Sequence, residues 1–292
     1  MKVRKAVIPA AGVGTRFLPA TKAIPKELIP VVDRPLIHEV VTEAVQSGID
    51  SLVLVTAAGK SAIEDYFDID PTLERFLEEK GKGDILDEVR RISRMVEVSA
   101  VRQKEPKGLG HAVLCARDFV GGDPFAVLLP DELMDGEVPC LKQLADRYGE
   151  TGRSVIALRE VPESQTHKYG IIDGEPTEEG FYRIRSVVEK PEPGTAPTNM
   201  AVIGRYILVP ELFTHLESLG PGAGGEIQLA DALQALAHEG KLDGLVFKGI
   251  RHDAGDKLGF LMATVHYALK DNTLGPPFLS FLNEKVRTST GK

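Results

Sequence analysis

Apolar runs alternate with polar, glycine-rich stretches through the first half of the chain. A short β-prone run at 3–8 ends at Pro9, and a Gly- and Pro-rich connection follows over 9–34. From 35 to 46 the apolar residues fall at helical spacing, with Leu36, Ile37, Val40, Val41 and Ala44 on one face and Gly48 just beyond. The run SLVLVT at 51–56 is apolar almost throughout, which suits a strand covered on both sides. The same reading predicts helices over 60–67, 71–79 and 86–93, a strand over 95–101, a helix over 110–119 and a buried strand, FAVLL, over 125–129. Strands alternating with helices predict an α/β domain around a mostly parallel sheet.

After residue 150 the pattern changes. Strands at 154–161, 169–173, 181–190 and 201–209 follow one another with few helices between them, which predicts a mixed or antiparallel extension. Helices are expected over 211–217 and 226–238, and a strand over 242–248. RHDAGD then leads into an apolar-striped helix over 258–270 and a peripheral helix over 276–286, with the tail TSTGK expected to fray. Repeats and low-complexity linkers are absent, so one compact domain with an inserted subregion is expected, not two separable ones.

Composition narrows the function classes. The 292 residues are 42% hydrophobic and 27% charged, as in an ordinary globular protein. No apolar run approaches the roughly 20 residues of a membrane span, so no membrane association is expected. The basic start MKVRKAVIPAAG has an apolar stretch too short for a signal peptide and reads as the first strand. The two cysteines, Cys115 and Cys140, lie in no CxxC or Cys/His cluster. They suit a reducing cytoplasm better than a disulfide framework. A net charge of −8 argues against nucleic acid as a partner. A polyanion can still bind where a few cations or a divalent metal are concentrated locally.

The connection after the first strand is where cations concentrate. It reads AAGVGTRFLPATKAIPKELIPV. Gly12 and Gly14 permit close backbone approach, and their N–H groups can form an anion nest. A plain turn would explain the glycines equally well. Phe17 stands where a dinucleotide fingerprint needs its third glycine, and the P-loop pattern is missing. Arg16 offers a planar fork and Lys26 a point charge. Both could sit on a solvated face, but Pro19, Pro25 and Pro30 stiffen the stretch around them. Fixed charge on a stiff loop suits a site that stabilises a transition state.

Other segments carry candidate chemistry. Gln103 precedes a second glycine loop, KGLGHAV, and offers both a donor and an acceptor. His111 reads as a hydrogen-bonding group at a helix start, without a proton-transfer role. Asp131 lies just past the carboxyl end of a buried strand, the edge where open α/β sheets bind ligands. An Asp there also serves as a turn former. RHDAGD supplies Asp253 and Asp256, and Asp256 is placed to cap the following helix. Glu189 and Lys190 precede Pro191. Such a dipeptide is a common solvated strand end, yet a carboxylate accepts from vicinal hydroxyls and an ammonium neutralises phosphate.

The run AAGVGTRFLPATKAIPKELIPVVDRPLI resembles the signature of sugar-1-phosphate nucleotidylyltransferases: G-x-G-T-R, P-x-T-K, P-K-x-L-x-P-V and P-L. Its wording FLPATKAIPKE is similar to that of the bacterial UTP–glucose-1-phosphate uridylyltransferases, and the resemblance extends across almost the whole chain. It implies a Rossmann-like three-layer nucleotidyltransferase fold with a mostly parallel mixed central sheet and an added small β-rich sugar-binding region. It also implies a single domain over 1–292, with 1–150 mainly nucleotide-binding, 151–260 mainly sugar-binding and 261–292 forming C-terminal helices.

The implied reaction is transfer of a uridylyl group from UTP to glucose 1-phosphate, giving UDP-glucose and pyrophosphate with Mg²⁺ as cofactor, in a cytoplasmic homodimer or homotetramer. By the same resemblance Arg16, Lys26 and Lys190 are catalytic, and Ala10, Ala11, Gly12, Gly14, Thr15, Gln103 and Gly108 bind the nucleotide, with Gly110 a weaker candidate. Tyr169, Gly170, Glu189, Lys190, Gly204 and Glu226 bind the sugar, with Gln228 nearby, and Gly204 leaves room for the hexose. Asp131 and Asp253 hold the metal. Lys257 would add charge toward the phosphates.

An anionic sugar phosphate needs no general base, so positioning and charge stabilisation suffice. Three alternatives stay open: a thymidylyltransferase or a uridylyltransferase for another hexose phosphate, a nucleotide-sugar-binding regulator without turnover, and an NAD-dependent dehydrogenase, which the missing third glycine disfavours.

Overall fold

A computed structural model of the chain describes residues 2–220, 222 and 225–290. The chain order begins with β1 (Lys5–Pro9), the short pair β2 (Pro30–Val31) and β3 (Arg34–Pro35), α1 (Leu36–Gln46) and β4 (Ser51–Thr56). Next come α2 (Ser61–Asp65), α3 (Pro71–Glu79), α4 (Gly83–Ser93), β5 (Glu97–Arg102), α5 (Leu109–Leu114), α6 (Arg117–Val120), β6 (Phe125–Leu128) and β7 (Glu132–Asp135). The second half holds α7 (Cys140–Thr151), β8 (Ser154–Glu160), β9 (Gly170–Glu178), β10 (Phe181–Glu189), β11 (Met200–Leu208) and α8 (Glu211–Ser218). It closes with α9 (Leu229–His238), β12 (Leu242–Val246), β13 (Ile250–Asp253), α10 (Lys257–Lys270) and α11 (Gly275–Thr290).

One sheet of nine strands runs through both halves in the order β5-β4-β1-β6-β11-β8-β12-β10-β9. Its first four strands pair in parallel. The apolar runs expected to be covered on both sides are so: Leu52 to Val55 and Phe125 to Leu128 are buried. β11 then enters antiparallel between β6 and β8, and β12–β8 is the parallel pair of the second half. The sheet is therefore mixed, with its parallel part concentrated on the side that carries the glycine-rich loop after β1. All nine residues of β11 are buried, which makes it the spine of the molecule. Helices α1 and α7 contact each other on one side of the sheet, and α5, α8 and α9 contact one another on the other, giving three layers.

Local rules account for several boundaries. Asp70 caps α3 by accepting from the N–H groups of Thr72 and Leu73, with Pro71 at the first helical position. Asp256 caps α10 by accepting from Gly259 N at 2.9 Å, as expected.

Other boundaries depart from the sequence expectation. The expected helix over 110–119 is two short helices, α5 and α6, with Ala112, Val113, Ala116 and Val120 buried along them. The expected helix from 226 begins at Leu229, because Ile227 is tied to another loop: its N–H donates to Lys107 O and its carbonyl accepts from Gly110 N. RHDAGD begins as a strand, β13, which pairs antiparallel with β7. Neither strand has a local signal, since the partners lie more than a hundred residues apart. Helix α11 runs past Val286 to Thr290, so Thr288 of the expected frayed tail is helical, and Gly291 and Lys292 lie outside the described residues.

The β7–β13 ribbon is fastened to α10 through Asp135, which accepts from His266 Nε2 at 2.6 Å and from Lys270 Nζ at 2.6 and 2.7 Å. Burial alone would raise the Asp135 pKa, but Lys270 and His266 outweigh it and hold the carboxyl below its ordinary value. A depressed folded pKa stabilises the protein above the unfolded carboxylate range of about 4, and that stabilisation is lost as pH falls through the folded value. Asp135→Asn is expected to cost on the order of 1 kcal/mol at pH 7, given that Lys270 is half exposed. Between pH 4 and pH 2 its stability should fall less steeply than the parent's, as read by urea midpoints along the pH series.

Candidate active site

Two adjoining cavities open at the carboxyl ends of β1 and β6. The first, about 360 Å³, is lined by all six expected sugar residues: Tyr169, Gly170, Glu189, Lys190, Gly204 and Glu226. Arg16, Asp131 and Asp253 line it as well. The second, about 450 Å³, is lined by Ala11, Gly12, Lys26, Gln103, Gly108 and Asp131. Asp131 and Glu226 border both, so the two spaces meet at these carboxylates. Ala10 is buried beneath the loop, and Gly14, Thr15 and Lys257 line neither cavity.

The loop after β1 is a chain of short 3₁₀ turns, Thr15–Phe17, Ala20–Lys22 and Lys26–Leu28. Gly14 takes φ 71°, and an added Cβ would press on Lys26 Cβ and Thr21 Cγ2, each at 3.3 Å. This glycine thus lets the loop fold back on Lys26. The turn is braced from below by Lys60, whose Nζ donates to Ala10 O at 2.6 Å and to both Glu27 oxygens at 3.1 and 2.9 Å. Burial pushes the Glu27 carboxyl up and the Lys60 ammonium down. Glu27 therefore points its neighbour Lys26 the other way along the turn, toward the cavities.

Lys26 Nζ reaches Asp131 Oδ2 at 2.6 Å. Burial would lower the Lys26 pKa, yet the Asp131 charge and hydrogen bond hold it above its ordinary value. Asp131 is held below its ordinary range by the same contact, against its own burial. Asp253 arrives from β13: its Oδ1 accepts from Gly255 N at 3.0 Å. A Cβ on Gly255 would lie 3.0 Å from Asp253 Oδ1, 3.1 Å from Asp131 Oδ2 and 3.5 Å from Arg16 Nη1. One missing methyl group thus marks the point where two carboxylates and a guanidinium converge. Arg16 Nη1 also faces Gly255 O at 3.4 Å.

In the second cavity Gln103 Nε2 donates to Gly108 O at 3.1 Å and lies 2.9 Å from His111 Nδ1. Gly108 takes φ 93° and has Ile227 O only 2.8 Å from where its Cβ would be. Gly110 is equally constrained, by Ile227 O at 2.8 Å and Gln228 C at 2.9 Å. The glycine loop is therefore shaped by the 226–228 segment as much as by any ligand.

In the first cavity, Lys190 holds φ 44°, a region costly for a residue with a side chain. Its N–H donates to Tyr169 O at 3.0 Å, and its Nζ lies 3.0 Å from Glu189 Oε1. Gln228 Nε2 donates to Glu226 Oε2 at 2.9 Å. Gly204 lines the cavity, but its missing Cβ would collide with Leu129 and Glu132, each at 2.8 Å. The expectation that Gly204 leaves room for a hexose is corrected to this extent: its bareness admits these two side chains.

Four charged residues at the site lacked a sequence signal strong enough to name them. Arg205, fully buried on β11, donates to Glu43 Oε2 at 2.9 and 2.8 Å and to the carbonyls of Leu129, Gly204 and Glu132 at 3.1, 2.9 and 2.6 Å. It clamps the corner that carries Asp131. Arg251 forks onto Glu132 at 2.5 and 2.6 Å. Burial pushes Glu132 up to about 7 against the pull of that fork. The visible hints were an Arg inside a nine-residue apolar strand and a Glu inside the apolar face of α1. Each demands a buried counter-charge.

Residues 5–269 match the model of the nucleotidyl transferase family. The chain is 52% identical over 281 residues to the UTP–glucose-1-phosphate uridylyltransferase of Bacillus subtilis, covering 96% of each chain. It superimposes on UTP-bound UGPase from Acinetobacter baumannii with a TM-score of 0.89 and 44% identity, covering 97% of this chain and 99% of that one. A UDP-glucose pyrophosphorylase complexed with UDP-glucose matches with a TM-score of 0.85 and 43% identity, covering 92% of this chain and 100% of that chain.

Proposed function

The chain belongs to the nucleotidyl transferase family, and on that premise we propose that it transfers the uridylyl group of UTP to glucose 1-phosphate, releasing pyrophosphate and UDP-glucose. The observation that carries this reading is the convergence of Lys26, Arg16, Asp131 and Asp253 at the seam between two cavities. The Bacillus subtilis relative is named for this substrate pair, and its likeness and that of the UTP-bound UGPase span almost the full chain. The single sheet supports one domain over 1–292, in which 1–150 mainly holds the nucleotide, 151–260 mainly the sugar and 261–292 forms C-terminal helices.

Asp131 and Asp253 suit Mg²⁺: two carboxylates converge on a spot that a Cβ would fill, and Mg²⁺ commonly takes one or two carboxylates with phosphates and waters. When bound, the metal would neutralise charge on phosphoryl oxygens. The chain's own groups do the rest. Lys26 holds the α-phosphate region, Arg16 the departing pyrophosphate and Lys190 the phosphate of the sugar. Glu189 and Glu226 accept from sugar hydroxyls. The Ala10–Thr15 backbone cradles the triphosphate. The Gln103 amide nitrogen is engaged internally, so its Oε1 is the acceptor for a pyrimidine N3–H. The sugar-phosphate oxygen, already ionised, attacks the α-phosphorus in line as the bond to pyrophosphate breaks.

Among the described residues no helix is long and apolar enough to cross a membrane, and the reading puts the enzyme in the cytoplasm. Exposed Leu258, Leu261 and Met262 on α10 with Phe281 and Val286 on α11 support a homodimer or homotetramer.

The test is pyrophosphate release with Mg²⁺, comparing UTP with dTTP and glucose with galactose 1-phosphate. UTP with glucose 1-phosphate is expected to give the highest kcat/KM by at least about tenfold, a discrimination that a few hydrogen bonds supply. Faster turnover of dTTP would make the chain a thymidylyltransferase, and no turnover of any pair would leave a binding protein.

A further inference from the structure

Glu132 and Asp253 stand directly opposite each other in the β7–β13 ribbon. Like charges at such a pair repel. Arg251, two residues before Asp253 on the same face of β13, lies between them. Its Nε and Nη2 meet the two Glu132 oxygens, and Nη2 also donates to Asp253 Oδ2 at 3.0 Å. Its third nitrogen, Nη1, lies 3.4 Å from Tyr169 Oη, and its guanidinium carbon is 5.2 Å from the Tyr169 ring centre. The side chain is 8% exposed, and Arg251 is not among the residues lining either cavity.

The consequence for Asp253 is geometric. Arg251 occupies Oδ2, which leaves Oδ1 with Gly255 N and turned to the spot shared with Asp131. The consequence for the other cavity follows from the same fork. Tyr169 lines the space assigned to the sugar, and its carbonyl holds the strained Lys190 N–H. A single rigid guanidinium thus spans from the sugar wall to a metal-facing carboxylate. Lys could not replace it, since an ammonium lacks the planar fork that meets three partners at fixed angles.

We propose that Arg251 is a positioning residue that sets the rotation of the Asp253 carboxylate toward the divalent cation and couples it to the sugar wall through Tyr169. The proposal rests on the reading of Asp131 and Asp253 as metal ligands. Partners of ligating groups typically change metal affinity 10- to 100-fold when removed.

The test measures Mn²⁺ binding to the full chain by electron paramagnetic resonance, with the metal alone, alongside steady-state kinetics. Arg251→Lys is expected to weaken Mn²⁺ binding about tenfold or more and to raise the KM for glucose 1-phosphate, while UTP binding without metal stays within about twofold. Glu132→Gln should also weaken Mn²⁺ binding, because the freed fork closes on Asp253 and draws Oδ1 away. It provides the same comparison if Arg251→Lys does not fold. Parent-like Mn²⁺ affinity in whichever of these variants folds would overturn the proposal. A parent that binds Mn²⁺ but turns over no UTP would overturn the functional reading alone, since the comparison of Mn²⁺ affinities would still decide the role of Arg251.

Discussion

Lys26→Ala is expected to lower kcat by about 10²–10³-fold with thermal unfolding close to that of the parent. The rate effect follows from where the charge sits. Lys26 is held at the seam of the two cavities by a stiff turn, braced through Glu27 and Lys60, so it does not reorganise as charge develops on the phosphoryl oxygens. Such preorganised charges are worth about 3–4 kcal/mol in transition-state stabilisation. The stability effect is small because the Lys26 and Asp131 side chains keep 20% and 25% of their exposure, so water reaches Asp131 when its partner is gone. Pyrophosphate release and circular dichroism on the same preparation separate the two effects. Turnover within threefold of the parent would take Lys26 out of the chemistry.

Arg205→Ala acts in the opposite sense, on the fold first. Removing the guanidinium takes the counter-charge from Glu43, which is 6% exposed, and one donor from each of three backbone carbonyls. Breaking a buried pair in this way costs about 3–5 kcal/mol. For a chain of this size that corresponds to a fall in Tm of about 10 °C. The remaining folded protein should also lose activity, since two of those carbonyls, of Leu129 and Glu132, flank Asp131 on either side. Calorimetry reads the first effect, and activity measured well below the new Tm reads the second. A Tm within 2 °C of the parent would show that the corner is held by other means.

The parallel part of the sheet was legible because β1, β4 and β6 carry unbroken apolar runs, and β5 at its edge intersperses apolar with polar residues. The loop over 9–34 was legible because its glycines, prolines and cations fall in a long, specific order. Convergence of Asp131 with Asp253 was legible only through family resemblance, for their proximity depends on the β7–β13 pairing, and nothing local announces either strand. Arg251 and Glu132 escaped notice for the same reason: their bond spans 119 residues. Arg205 and Glu43 did leave a trace, as charges inside otherwise apolar stretches. A lone charge, however, states that a partner exists without saying which, and the partner here is 162 positions away. The start of α9 was misplaced because tertiary bonds from Lys107 and Gly110 hold the chain extended where its sequence would allow helix.

The seam between the halves is itself a backbone ladder, with Arg205 to Leu208 of β11 registered against Phe125 to Leu128 of β6. Among the described residues this rules out a hinge at that seam: β11 cannot swing away from β6 unless these pairings part and two buried strands are wetted. Any closure over the two cavities is therefore left to segments outside this ladder.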